Sequence, residues 1–202
     1  MKARFFLGLD LGKQRDHSAI AVVERVETPQ LHLAPALYGG LAVRYVERLA
    51  LGTPYPAVVE RVRRIVGMRE LAGACCLAVD ATGLGGPVVE MLRSAGLGCE
   101  VAAVTITGGE RESQTAQGWS VPKKDLMTGL QLGLEDGSLV IARRMKEVGA
   151  LARELVDVKA KGARIGAEGA GQHDDLVIAV ALAVWKAKQR KKANLFGTQR
   201  LV

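Results

Sequence analysis

Cysteine is scarce in this 202-residue chain: Cys75, Cys76 and Cys99 are the only three, and no CxxC spacing occurs. That excludes a disulfide scaffold and a cysteine zinc site, so the three read as small core residues of a protein from a reducing compartment. Long apolar runs are missing too. The longest, Leu176–Trp185, has 10 residues, about half a membrane span. The apolar N-terminus is interrupted by Asp10 too early for a signal peptide. No phosphate-binding GxxxxGK[ST] is present; the nearest stretch, Gly8 to Gln14, is one residue short and ends in Gln. No solenoid-length repeat and no linker divides the chain. The expectation is one soluble, cytoplasmic domain with no membrane partner.

A uniformly cationic surface is absent as well. The formal net charge is +7, but 186–192 (KAKQRKK) carries five basic residues and no acid, which leaves +2 for the rest. This permits contact with nucleic acid without demanding it, and the run equally suits a solvated helix end. We place the domain at 1–190 and a basic C-terminal tail at 191–202.

What the chain does contain is an α/β pattern. Apolar runs at 4–11 and 18–26, joined by a short polar GKQRDH, predict an antiparallel hairpin. Alternation over 31–51 predicts a third strand and part of a fourth. Periodicity over 57–67 predicts a helix with Val58, Val62, Ile65 and Val66 on one face. The continuous apolar run 74–80 predicts a central strand buried on both faces. A glycine-rich turn and a helix at 87–95 follow, with Pro87 in its first turn, and then a strand at 99–106. Segment 107–121 reads as a mobile loop or small hairpin. Helix 122–135, strand 138–142, helix 145–158 and helix 172–190 complete the chain. Strands concentrated early and alternating with helices later give a mixed sheet, first a meander and then parallel crossovers.

Against this pattern a few acids stand out. Asp10 lies inside the first apolar strand, Asp80 ends the central one, and Asp174 and Asp175 open the apolar last helix. Carboxylates in such places are costly unless compensated. A divalent cation with oxygen ligands, Mg2+ or Mn2+, is the natural compensator. Plainer readings stand beside this one: a turn for Asp80, an N-cap for Asp174 and dipole stabilisation for Asp175. Residues 174 and 175 point about 100° apart on a helix, so one of the two is the better ligand.

Five segments carry a resemblance: GLDLGKQRDHSAIAVVE (8–24), AVDATGLGGPVVEML (78–92), VTITGG (104–109), VPKKDLMTGLQLGLEDGSLVI (121–141) and GQHDDLVIAVALA (171–183). In this order they resemble the RNase H-like superfamily of metal-dependent nucleases, and more closely the nuclease domain of the large terminase subunit of tailed bacteriophages. The resemblance implies an RNase H-like mixed sheet flanked by helices. It also implies two-metal-ion cleavage of double-stranded DNA, with the catalytic and metal-binding roles on Asp10, Asp80 and Asp175 and with Asp174 adjacent. Asp16 matches the pattern too, beside its reading as an Asx turn. Lys13, Lys123 and Lys124 become candidates for DNA contact, beside their reading as solvated surface lysines, and His173 for a contact to phosphate. Other terminase subunits and a portal protein are the implied partners, in the cytoplasm of a bacterial host. With no ATPase motif, the chain is expected to be an excised domain or a stand-alone terminase-like nuclease. No helix looks built to read bases, so little sequence specificity is expected.

Other readings compete. The glycine turn 82–86 before a helix suggests a nucleotide-binding α/β protein, although its spacing is not GxGxxG. The LDLG start resembles actin-like ATPases, but a second phosphate loop is missing. A Holliday-junction resolvase shares the four-acid plan, and a non-catalytic DNA-binding module could keep the fold without cutting.

Overall fold

A computed structural model describes residues 3–12, 16–26, 40–83, 85–162 and 174–196. Strands β1 (Phe5–Asp10) and β2 (Ala19–Val26) form the antiparallel hairpin, paired from Phe5↔Glu24 to Asp10↔Ala19. Strand β3 (Gly40–Arg48) continues the meander; residues 31–39 of the predicted 31–51 region lie outside the described residues. The chain then crosses through α1 (Tyr55–Val66) to β4 (Cys75–Asp80), which pairs parallel to β1, and through α2 (Gly85–Ser94) to β5 (Glu100–Thr107), parallel to β4.

Segment 107–121 resolves into the small hairpin. Strands β6 (Ser113–Gln114) and β7 (Trp119–Pro122) are antiparallel, closed by mutual backbone hydrogen bonds of Thr115 and Gly118. Strand β7 also pairs parallel to β5, so the hairpin extends the sheet. Helix α3 (Lys123–Glu135), strand β8 (Leu139–Ile141, parallel to β3), α4 (Val148–Gly162) and α5 (Asp175–Phe196) follow. Among the described residues, eight strands stand in the order β6-β7-β5-β4-β1-β2-β3-β8. This is the mixed sheet that the sequence pattern predicts.

Strand alternation sorts the core into two layers. Leu7, Leu9, Ile20, Val22, Leu77 and Val79 pack under α1 and α2. Phe6, Ala19, Ala21, Val23, Cys76 and Ala78 pack on the opposite face, with α3, α4 and α5. Cys75 and Cys76 are buried, as small core residues should be. The apolar run of α5 is enclosed from Leu176 to Trp185. At Gly8 the helix lies directly on the sheet: a Cβ there would come 1.8 Å from the Ala179 carbonyl oxygen. Glycine is required at this position because two backbones meet with no room for a side chain.

The basic run 186–192 is folded into the domain at its start. Lys186 is buried and its Nζ donates to Glu100 at 2.5 Å. Lys188 Nζ donates to the Gly129 carbonyl at 2.7 Å. A solvated run does not describe these two lysines, since α5 continues to Phe196 and packs against β5 and α3 along this stretch. On the same part of the helix, Trp185 meets Trp119 edge-to-face at 5.4 Å and donates its indole N–H to Glu112 at 3.2 Å.

The Gly8 contact gives a direct test. Gly8→Ala should cost about 3 kcal/mol or more, since backbone must move to admit the methyl. Gly86→Ala, where a Cβ meets nothing within 4 Å, should be neutral or stabilise by about 0.5–1 kcal/mol. Urea unfolding midpoints of the two variants should therefore move in opposite directions, or only the first should move.

Candidate active site

Strands β1 and β4 are parallel neighbours in the register Leu9↔Val79, so the next residues, Asp10 and Asp80, stand side by side at the carboxyl ends of both strands. Ligands of open α/β sheets gather at that edge. Alternation places Asp10 with Phe6 and Gly8, and Asp80 with Cys76 and Ala78, on the α5 face. Helix α5 begins there with Asp175. Asp10, Asp16, Asp80, Asp174, Asp175 and Lys123 line one cavity of about 340 Å³.

Each acid is held differently. Asp80 Oδ1 accepts the Thr82 N–H at 2.8 Å and the Thr82 hydroxyl at 2.5 Å. Thr82 Oγ1 in turn accepts the Ile106 N–H at 2.9 Å. The turn reading and the site reading of Asp80 thus coexist, with one oxygen closing an Asx turn. Asp174 Oδ2 takes the Lys123 ammonium at 2.9 Å at the cavity rim. Asp175 is buried, and its Oδ2 lies 3.7 Å from Arg48 Nε. Asp16 reaches the cavity from the β1–β2 connection, which is tight at Gly12: a Cβ there would sit 2.3 Å from the Asp16 carbonyl oxygen. The Gly12 N–H donates to Ser18 Oγ at 3.1 Å and fixes the same turn.

Of the lysines, Lys123 lines the cavity, whereas Lys124 pairs with Glu110 on the loop after β5. Lys13 and His173 lie outside the described residues. Sequence reasoning missed Glu154 and Arg48. Glu154 is buried on α4, and its Oε2 accepts the N–H groups of Leu176 (3.0 Å) and Val177 (3.2 Å), while Oε1 pairs with Arg48. The carboxylate that caps α5 therefore comes from another helix, although the backbone of Asp174 holds the cap position, its carbonyl accepting the Ile178 N–H at 2.9 Å. The sequence signal was an acid on the apolar stripe formed by Leu151, Leu155 and Val158.

The donor set around the cavity is all oxygen and mostly anionic, which fits Mg2+ or Mn2+ and not a soft, sulfur-seeking metal. Among the described residues no three of these side chains are drawn together into a closed ligand set. Thr82 and Lys123 each hold one oxygen of Asp80 and Asp174. Asp10 carries the electrostatic cost of the arrangement. Burial pushes its carboxyl well above the usual range, the charges of Asp80, Asp175 and Asp174 push it further, and Lys123 opposes them.

No family profile and no curated protein matches the chain. Solved structures do. The large terminase nuclease of thermophilic phage G20c is 21% identical over 90% of this chain and 81% of its own, with a TM-score of 0.53. The same nuclease with bound zinc gives 20% identity over 90% of this chain and 80% of that one, with a TM-score of 0.56. The nuclease domain of g2p, the large terminase of bacteriophage SPP1, with bound Mn, gives 11% identity over 91% and 86%, with a TM-score of 0.53. The chain has the fold of these domains, the RNase H-like mixed sheet.

A raised pKa in the folded state means that Asp10 favours folding while protonated. In EDTA, the stability contributed by Asp10 should be fully present at acid pH and be lost as pH rises from the ordinary aspartate range through the folded value. Asp10→Asn removes that loss. Its melting temperature in EDTA should exceed wild type by at least about 2 °C at neutral pH, the scale of 1 kcal/mol in a domain of this size. The gap should shrink toward pH 4, a trend that thermal scans across pH would read directly.

Proposed function

We propose that the chain is a divalent-metal-dependent endonuclease of double-stranded DNA, the nuclease of a phage terminase large subunit. The observation that carries this reading is the placement of Asp10, Asp80 and Asp175 around one cavity, from two parallel strand ends and one helix start. The likeness to terminase nuclease domains solved with zinc and with Mn supports it.

In this reading Asp10, Asp80 and Asp175 hold two Mg2+ or Mn2+ ions, and Asp174 stands beside them. Bound there, the ions would lower the pKa of a water and spread the charge of the phosphate and its leaving oxygen. The carboxylates attack nothing; they orient. Thr82 fixes the rotation of Asp80 by occupying its Oδ1. Lys123 exchanges Asp174 for a DNA phosphate at the rim, and Lys13 and Lys124 serve the approaching backbone. Such contacts carry no base information, which agrees with low sequence specificity. A packaging setting, with a motor, a portal protein and the cytoplasm of an infected bacterium, is what the terminase likeness adds. With no GxxxxGK[ST] in the sequence, ATP-driven translocation is not assigned to this chain.

Supercoiled plasmid should be nicked and linearised with Mn2+ or Mg2+ and left intact in EDTA. Asp80→Ala and Asp175→Ala should each lose at least the ~100-fold that removal of an outer-shell partner can cost a metal site, with melting temperatures in EDTA no lower than wild type. Retained cutting in either variant, or cutting in EDTA, refutes the mechanism. A four-way junction run beside the plasmid separates a resolvase, which would prefer the junction.

A further inference from the structure

Across the sheet edge the pairings Ala19↔Arg48 and Asp10↔Ala19, followed by the β1–β4 register, set Arg48, Ala19, Asp10 and Asp80 in one row. Arg48 joins that row because β3 carries a bulge. Opposite Val22 and Val23 the partner jumps from Tyr45 to Val43, leaving Arg44 unmatched. The extra residue reverses the alternation, so Val43 and then Val46 lie in the α5 layer, and Arg48, two further on, is aimed the same way. A cation has thus been turned toward a cluster of acids.

Left alone, a guanidinium beside a buried carboxylate closes on it through two hydrogen bonds and neutralises it. Here the terminal nitrogen of Arg48 is committed to Glu154 Oε1, and its Nε makes only a long ion pair, 3.7 Å, with Asp175 Oδ2. Glu154 cannot drift toward the cavity, because its other oxygen is fixed by the first N–H groups of α5.

We propose that Glu154 is a positioning residue that draws Arg48 away from a closer, two-bond pairing with Asp175 and so leaves the group the negative charge that attracts a cation. The proposal rests on the metal-dependent reading above and deepens it. With Glu154 charged, the trio Arg48, Glu154 and Asp175 carries one net negative charge; with Glu154 neutral it carries none.

Glu154→Gln keeps the cap, since an amide oxygen still accepts from Leu176 and Val177, but lets Arg48 close on Asp175. Mn2+ binding, read from the electron paramagnetic resonance signal of the unbound ion, should weaken about 10- to 100-fold, as for loss of an outer-shell partner. Cleavage should need correspondingly more Mn2+ yet reach a rate within a few-fold of wild type at saturation. Adding Arg48→Gln to Glu154→Gln should restore Mn2+ affinity. A merely structural role predicts the reverse, with the double variant worse than the single. Arg48→Gln alone, which leaves the cap in place, should bind Mn2+ as tightly as wild type or more so. It keeps the test open should Glu154→Gln fail to fold. Unchanged Mn2+ binding in Glu154→Gln, an unrescued double variant, or weaker binding in Arg48→Gln overturns the proposal alone. A wild-type protein that binds no Mn2+ overturns the nuclease reading and the proposal with it.

Discussion

Backbone contact between Gly8 and Ala179 sets the geometry on which the rest depends. It sets α5 so close above β1 that no side chain fits between them at position 8. From that contact the helix has one turn to run back to Asp175, ~6 Å at 1.5 Å per residue. The strand has two residues to run forward to Asp10, also ~6–7 Å. Both elements arrive at the same level of the sheet edge with an acid in hand. A helix held further out by a side chain at position 8 would carry Asp175 away from the strand ends, and the cavity would lose one wall.

A row of carboxylates at that edge is a strained electrostatic arrangement, and the surrounding residues share the load unequally. Thr82 and the Ile106 backbone tie down Asp80, and Lys123 answers Asp174. Arg48 and Glu154 stand behind Asp175. Asp10, at the end of β1, bears the cost of burial and of its neighbours' charges in its own raised pKa. Stability given up at one place where charges converge is a common mark of a site built to take something in. On the proposed reading, the carboxylates would favour a hard cation, and the strand ends would seat it beside an open edge that a long polymer can reach.

Much of this was legible in the sequence for simple reasons. An acid that terminates an apolar run, as Asp10 and Asp80 do, marks both a strand and its end. The apolar run after Asp175 marks a buried helix. Arg48 was not legible, because its direction depends on a bulge at Arg44 that no turn residue announces. Glu154 needed knowledge of which helix end would lie against α4, a contact between residues 22 and 23 positions apart. Lys186 and Lys188 were misjudged for the same reason: Glu100, the partner of Lys186, is 86 residues away. Local pattern specifies elements and their faces. Pairings between side chains on distant elements are settled only when the layers pack.

The pairing of Trp119 with Trp185 has a spectroscopic consequence. The chain contains two tryptophans, and both belong to that edge-to-face contact. All indole emission, and the indole part of the near-ultraviolet dichroism, therefore originate at one seam, where the middle of α5 meets Trp119 of β7. Those signals follow the seating of the helix at its midpoint and carry no direct signature of the aspartates at its start, ten residues earlier, so the two stretches of one helix can be observed separately in the same sample.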